Sequence, residues 1–210
     1  VEITLLGQNV NAYNGVDDSN RRRNLSYLVN KLSELNDLKR IRFVTSHPVD
    51  MTESLIQTFR TNNKLMPYLH LPIQSGSDII LKKMNRRHSV SQYLDIIQRV
   101  KEARPDIALS GDFIVGFPEE TDHDFERTVE ICHTVRYANA FSFKYSPRPG
   151  TPAFARKDIP EDIKKERLSS LQKVIRNYQD SFQKNLIGRK LSILVEKKGR
   201  IDGQIVGKSP

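Results

Sequence analysis

The chain has a single cysteine, Cys132, among its 210 residues. One thiol cannot form an internal disulfide or supply a multi-cysteine metal site. It lies in the helical pattern TVEICHTV beside Val129 and Ile131, where a buried, inert side chain is expected. Long apolar runs are also missing, and none approaches the roughly 20 residues a membrane-spanning helix needs. The sequence has no initiating methionine and no signal-type leader. It opens directly on VEITLLG, so it reads as a piece that begins inside a structural element. A GxxxxGK(S/T) loop, an HExxH pair, zinc-ligand spacing, a serine or cysteine nucleophile motif, repeats and low-complexity tracts are all absent. These absences exclude a disulfide scaffold, a helical membrane protein, a P-loop enzyme and the common zinc hydrolases. The shortage of cysteine fits a cytoplasmic setting.

What remains is the composition of a folded, water-soluble chain: 37% hydrophobic and 28% charged residues, with a mean hydropathy of −0.55. The length allows one good core and at most part of a second domain. There are 34 lysines and arginines against 25 acidic residues, a net charge of +9. Such a balance favours an anionic partner, with nucleic acid foremost. The plainer alternative is a lysine-rich solvated surface.

Short apolar runs alternate with amphipathic ones. Strands are expected at Val1–Leu6, Ile41–Val44, Tyr68–Ile73, Ile107–Val115 and Ala138–Tyr145. Helices are expected at Leu25–Leu35, Thr52–Phe59, Ser77–Met84, Ser91–Ala103, Thr121–Val135 and Glu161–Leu186. Thr52, Ser77 and Thr121 stand at N-cap positions, and Gly188 follows the last helix as a C′ residue. Asn11–Arg23 reads as a polar loop with a basic run, and Lys190–Glu196 as a strand of different character. Strands alternating with helices imply an α/β fold of parallel βαβ units. A doubly wound sheet and a partial α/β barrel both satisfy the pattern, and in either the functional groups gather at the C-terminal ends of the strands.

Five segments fall at those ends. In GQNVNAY, Gly7 admits close backbone approach, while Gln8 and Asn9 offer donors and acceptors to a small polar molecule. TSHP provides Ser46, a hydroxyl suited to a ribose or carboxylate oxygen, and His47, which reads as a structural loop histidine. LPIQSGSD delivers Gln74 and Ser75 ahead of a helix start. GDFIVGFPEET sets Asp112 inside an apolar strand, where a carboxylate calls for a partner. Gly116 then breaks the strand after Ile114, leaving backbone groups free to meet a flat ring. KYSPRPGTPA holds Arg148 between two prolines, stiffly enough to grip a phosphate. No catalytic constellation emerges from these pieces alone.

Taken in order, GQNVNAY, RIRFVTSHP, LHLPIQSGSD, MNRRHS, SGDFIVGFPEET and FSFKYSPRPGTPA, followed by the long helix, resemble the MiaB-type tRNA methylthiotransferases. The likeness runs from Val1 to about Gly188. It implies a partial radical S-adenosylmethionine (β/α) barrel over residues 1–188. Residues 189–210 resemble the start of a TRAM domain, a small RNA-binding β-barrel. Such enzymes methylthiolate carbon 2 of an isopentenylated adenosine beside the anticodon. They use S-adenosylmethionine and two 4Fe–4S clusters, one of them held by a CxxxCxxC loop after the first barrel strand. That loop, and everything before the second strand, does not match anything here, so no metal ligands are expected.

The resemblance assigns Gln8 and Asn9 to the methionine amino group and Ser46, Gln74 and Ser75 to ribose and carboxylate. A GxIxGxxE-like strand assigns Ile114, Gly116 and Glu119 to adenine; Asp112, standing where that pattern begins with glycine, is counted with the cofactor-binding residues, or instead faces the substrate or radical. Basic candidates for the tRNA anticodon stem-loop are Arg86, Arg87, Arg148 and Lys197. The chain alone is expected to be inactive, to leave an unpaired edge on its first strand and to be poorly soluble. A stand-alone RNA-binding remnant is the alternative reading.

Overall fold

The computed structural model describes residues 1–210. Strand β1 (Glu2–Leu5) is followed by a short antiparallel hairpin, β2 (Asn14–Val16) and β3 (Arg22–Asn24). The hairpin falls where a polar loop is expected. Its turn is made by side-chain chemistry: Asp17 Oδ1 accepts the amides of Ser19 and Arg21, and Asn20 takes a φ of 58°. Two three-residue strands without apolar alternation leave no periodic signal.

Helix α1 (Leu25–Ser33) starts where the Asn24 side chain accepts the Tyr27 amide, and β4 (Arg40–Phe43) follows. Helix α2 (Glu53–Thr61) is capped by Thr52, and strand β5 (Tyr68–His70) leads to α3 (Asp78–Lys83), capped by Ser77. Capping boxes open α4 (Val90–Ala103), through Ser89 and Gln92, and α5 (Asp122–Val135), through Thr121 and Asp124. Between these helices lies β6 (Ala108–Val115). Strand β7 (Asn139–Lys144) and the long helix α6 (Glu161–Lys184) complete the alternation. Strand β5 is shorter than its apolar run suggests. Pro72 has no amide for the ladder, and pairing with β6 resumes only at the Gln74–Phe113 bridge.

All the long-range strand pairs are parallel. β1 pairs with β4, and β5, β6 and β7 form a three-stranded sheet, the two joined by a single bridge between Ile41 and Leu65. The result is an open arc and not a closed barrel, with β1 and β7 at its unpaired ends. One face carries the core: Ile41, Phe43, Leu69, Leu109, Phe113 and Val115 pack against the helices. Within that core the Tyr93 and Tyr137 hydroxyls meet at 2.7 Å, and Tyr93 also donates to the Leu71 carbonyl. The opposite, concave face holds the alternate residues, among them His70, Ser110 and Asp112. Cys132 is buried in the core, as expected, and burial pushes its thiol up to about 12.

Beyond Gly188, which takes a φ of +81°, strands β8 (Leu194–Lys198) and β9 (Ile205–Lys208) form an antiparallel hairpin. It docks at the start of the sheet. Arg40 donates to the carbonyls of Ser192 and Lys208, Arg42 donates to that of Ser209, and the Lys208 ammonium lies 3.6 Å from Glu2. No helix is long and apolar enough to cross a membrane.

Candidate functional site

The loops at the C-terminal ends of the strands are bound to one another in two pairs. In the first pair, the Val10 amide donates to the Thr45 carbonyl at 2.9 Å. The buried Asn11 side chain donates to the His47 carbonyl at 2.9 Å and accepts its amide at 2.8 Å. Asn9 Nδ2 donates to Asp50 at 2.6 Å. These bonds fix the loops after β1 and β4 as one unit. Two oxygens inside it have no partner: Asn9 Oδ1 and Ser46 Oγ are both buried and unpaired. Gln8 is exposed beside them.

In the second pair, Gln74 donates its amide to the Asp112 carbonyl and accepts the Ile114 amide, which stitches the loop after β5 onto β6. Gln74 has a φ of 79° and Thr45 one of 66°, so two strand ends place a non-glycine residue in left-handed backbone. Such conformations cost about 1–3 kcal/mol and concentrate at functional sites. The Ser75 hydroxyl is wholly buried and engaged, 3.4 Å from Thr128 Oγ1 and accepting the Ser77 amide. A side chain on Gly76 would come within 2.3 Å of the Arg127 carbonyl, so the loop is pressed onto α5.

Strand β6 ends at Gly116, φ +70°, where an added Cβ would lie 2.5 Å from Lys164 Cγ. The Gly116 amide donates to Glu120 Oε2 at 2.8 Å, and Arg167 donates to the same oxygen at 2.8 Å. Burial raises the Glu120 pKa, against the pull of the Gly116 amide and Arg167. Glu119, its neighbour in sequence, is exposed and ion-paired to Lys83 at 2.7 Å and Arg156 at 3.1 Å. The buried carboxylate that shapes this strand end is therefore Glu120, which reasoning from sequence passes over. Only its four-residue separation from Gly116 hints at it.

Asp112 and Ile114 stand on the concave face, with Asp112 Oδ2 3.4 Å from His70 Nε2 and His70 Nδ1 3.0 Å from Ser110 Oγ. Arg86 turns inward and is half-buried, its Nε without a partner; burial lowers its pKa and Asp112 opposes that effect. His47 and His88 stack edge to face at 5.5 Å. Burial lowers the pKa of both; Arg86 adds to the effect at His47, and His47 at His88. Both ring nitrogens of His88 are buried and unpaired. Asn11 and His88 are further residues of this site that sequence reasoning does not single out.

Of the basic candidates, Arg87 and Arg148 are exposed on the loops at the strand ends, while Arg86 is drawn inside. Lys197 lies on the hairpin that docks against Glu2 and Arg40, at the opposite end of the strands. The structure thus separates it from the other three.

A family model of the radical SAM superfamily matches residues 1–132, and the chain belongs to that superfamily. A tRNA-2-methylthio-N(6)-dimethylallyladenosine synthase of Roseobacter denitrificans is 53% identical over 208 residues, covering 99% of this chain and 47% of that protein. The resemblance to MiaB-type enzymes is thereby shown, and the chain spans about half the length of that relative. Among solved structures, the archaeal Methanocaldococcus infernus Elp3 with an N-terminal deletion superposes with a TM-score of 0.55 at 11% identity. That match covers 93% of this chain and 62% of the other, a likeness of fold alone.

The superfamily implies S-adenosylmethionine and an iron–sulfur cluster. The residues present fit the first. Asn9 and Ser46 offer buried oxygens lacking partners at the strand ends. They do not fit the second. A cluster is held by several thiolates, whereas the one thiol here is buried in the core, and no group of three or more His, Cys, Asp or Glu side chains is placed to hold a metal.

Proposed function

We propose that this chain is part of the radical S-adenosylmethionine core of a tRNA methylthiotransferase that, as a whole protein, methylthiolates carbon 2 of N6-isopentenyladenosine beside the anticodon. The reading rests on one observation above the others. The unpartnered oxygens of Asn9 and Ser46 lie at the strand ends of a chain 53% identical to a synthase of that kind. In this reading residues 1–188 are the core and residues 189–210 the beginning of a TRAM-like RNA-binding domain. The protein works in the cytoplasm, and its partner is the tRNA anticodon stem-loop.

Gln8 and Asn9 face the amino group of S-adenosylmethionine, Ser46 and Gln74 its ribose and carboxylate, and Ile114 and Gly116 its adenine. Ser75 and Glu119, whose polar groups are engaged within the chain, contribute through backbone position. S-adenosylmethionine supplies, when bound, the source of a carbon radical and of the methyl group. The chain's own residues bind it, orient it and limit access of water. Arg87 and Arg148 hold RNA phosphates, and Arg86 holds charge inside the site. The two 4Fe–4S clusters of the family belong to residues upstream of those matched here, so the chain alone does not turn over.

Joining this chain in frame to the upstream half of the Roseobacter relative tests the reading in cells that make isopentenyladenosine but not its methylthio form. Mass spectrometry of tRNA nucleosides is expected to find the 2-methylthio product with the fusion and none with the chain alone. A fusion that folds, binds S-adenosylmethionine and leaves tRNA unmodified would contradict it.

A further inference from the structure

The concave face has a feature that the cofactor assignment leaves unused. Register places Asp112 opposite Phe141 and Ile114 opposite Phe143. Paired residues of parallel strands point to the same side of a sheet, so both phenylalanines share the face of His70, Ser110 and Asp112. Both are half exposed, Phe141 at 49% and Phe143 at 55%, whereas Phe43, Phe59 and Phe113 are almost wholly buried. Two solvated aromatic rings, two residues apart on one strand, serve no core.

Beside them Asp112 lies 3.4 Å from His70 and in the field of the half-buried Arg86, and its Oδ1 accepts no hydrogen bond within the chain. The turn after β7 carries the exposed Arg148, a cation suited to a phosphate flanking a bound base. Aromatic faces, an open carboxylate acceptor and an exposed guanidinium on the turn that follows the same strand together match a nucleotide unit: a flat ring, a ring-borne N–H donor and a backbone phosphate.

We propose that Phe141 and Phe143 form a stacking platform for an unpaired purine of the RNA substrate, with Asp112 accepting the hydrogen of its exocyclic amine. The proposal rests on the tRNA reading above and adds where the base lies. Strand β7 becomes the substrate wall of the site, and the loops after β1 and β4 the cofactor wall.

The test uses this whole chain and two anticodon-type stem-loop RNAs, one with adenosine at the loop position beside the anticodon and one abasic there, with affinity read by fluorescence anisotropy. Stacking of one base strengthens binding by about tenfold, so the adenosine RNA is expected to bind the unaltered chain about tenfold tighter. Phe141→Leu/Phe143→Leu is expected to abolish that difference while leaving affinity for the abasic RNA unchanged. Both side chains are exposed, and an unchanged melting curve confirms that the double variant folds. A preference for the adenosine RNA that survives in the double variant, or no preference in the unaltered chain, overturns the platform and leaves the tRNA reading standing. Failure of the unaltered chain to bind either RNA at low salt overturns both.

Discussion

Asn9 Oδ1 and Ser46 Oγ are buried without a hydrogen-bond partner, and leaving such an atom unsatisfied costs about 1–3 kcal/mol. A ligand that donates to them recovers that energy. Ser46→Ala is therefore expected to keep or slightly raise stability while weakening S-adenosylmethionine binding by about tenfold. Urea unfolding and calorimetric titration check the two halves. A stability loss above about 1 kcal/mol would mark the hydroxyl as structural.

Glu119 and Glu120 give a second contrast at this scale. Glu120→Ala removes the buried counter-charge of Arg167 and leaves it only the exposed Asp122 at 2.7 Å, and is expected to cost about 3 kcal/mol. Glu119→Ala removes only exposed, solvent-screened pairs and is expected to leave the unfolding midpoint nearly unchanged. Equal losses in urea unfolding would contradict the assignment of roles. The break of β6 at Gly116 was legible from residue type and position. The choice between adjacent glutamates was not, because it depends on Arg167, which arrives from α6, 47 positions along the chain.

Among the elements, the helices were legible because each carries a period and all but α6 a side-chain cap. Thr52, Ser77 and Thr121 all accept the amide they were expected to accept. The β2–β3 and β8–β9 hairpins were less so, since turn chemistry and docking contacts make them rather than apolar alternation. The cap of α5 also has a pH signature. Burial pushes the Asp124 carboxyl upward, but bonds from Ser77 and Thr121 outweigh it and hold its pKa below the ordinary value of 3.8. A lowered carboxylate adds stability that is fully present above the unfolded-state value and is lost as pH falls through the folded one. Asp124→Asn is expected to melt at a lower temperature than the unaltered chain at neutral pH. The gap should close as pH drops below 3.8, as thermal melts across that range would show. A gap that stays constant with pH would contradict the account.

For the whole molecule, the parallel α/β alternation follows from sequence periodicity. The openness of the arc does not. It depends on pairings across the chain, which here leave β1 and β7 as free edges. The separation of Lys197 from Arg87 and Arg148 was likewise invisible, because it depends on where Arg40 and Arg42 anchor the final hairpin.

The account as a whole places cofactor-binding groups in this chain and the iron-holding thiolates outside it. Anaerobic reconstitution of the isolated chain with iron and sulfide, followed by S-adenosylmethionine and a reductant, tests this most directly when retained iron and 5′-deoxyadenosine are both measured. The account predicts no stoichiometric cluster and no 5′-deoxyadenosine. A retained cluster that cleaves S-adenosylmethionine would contradict it.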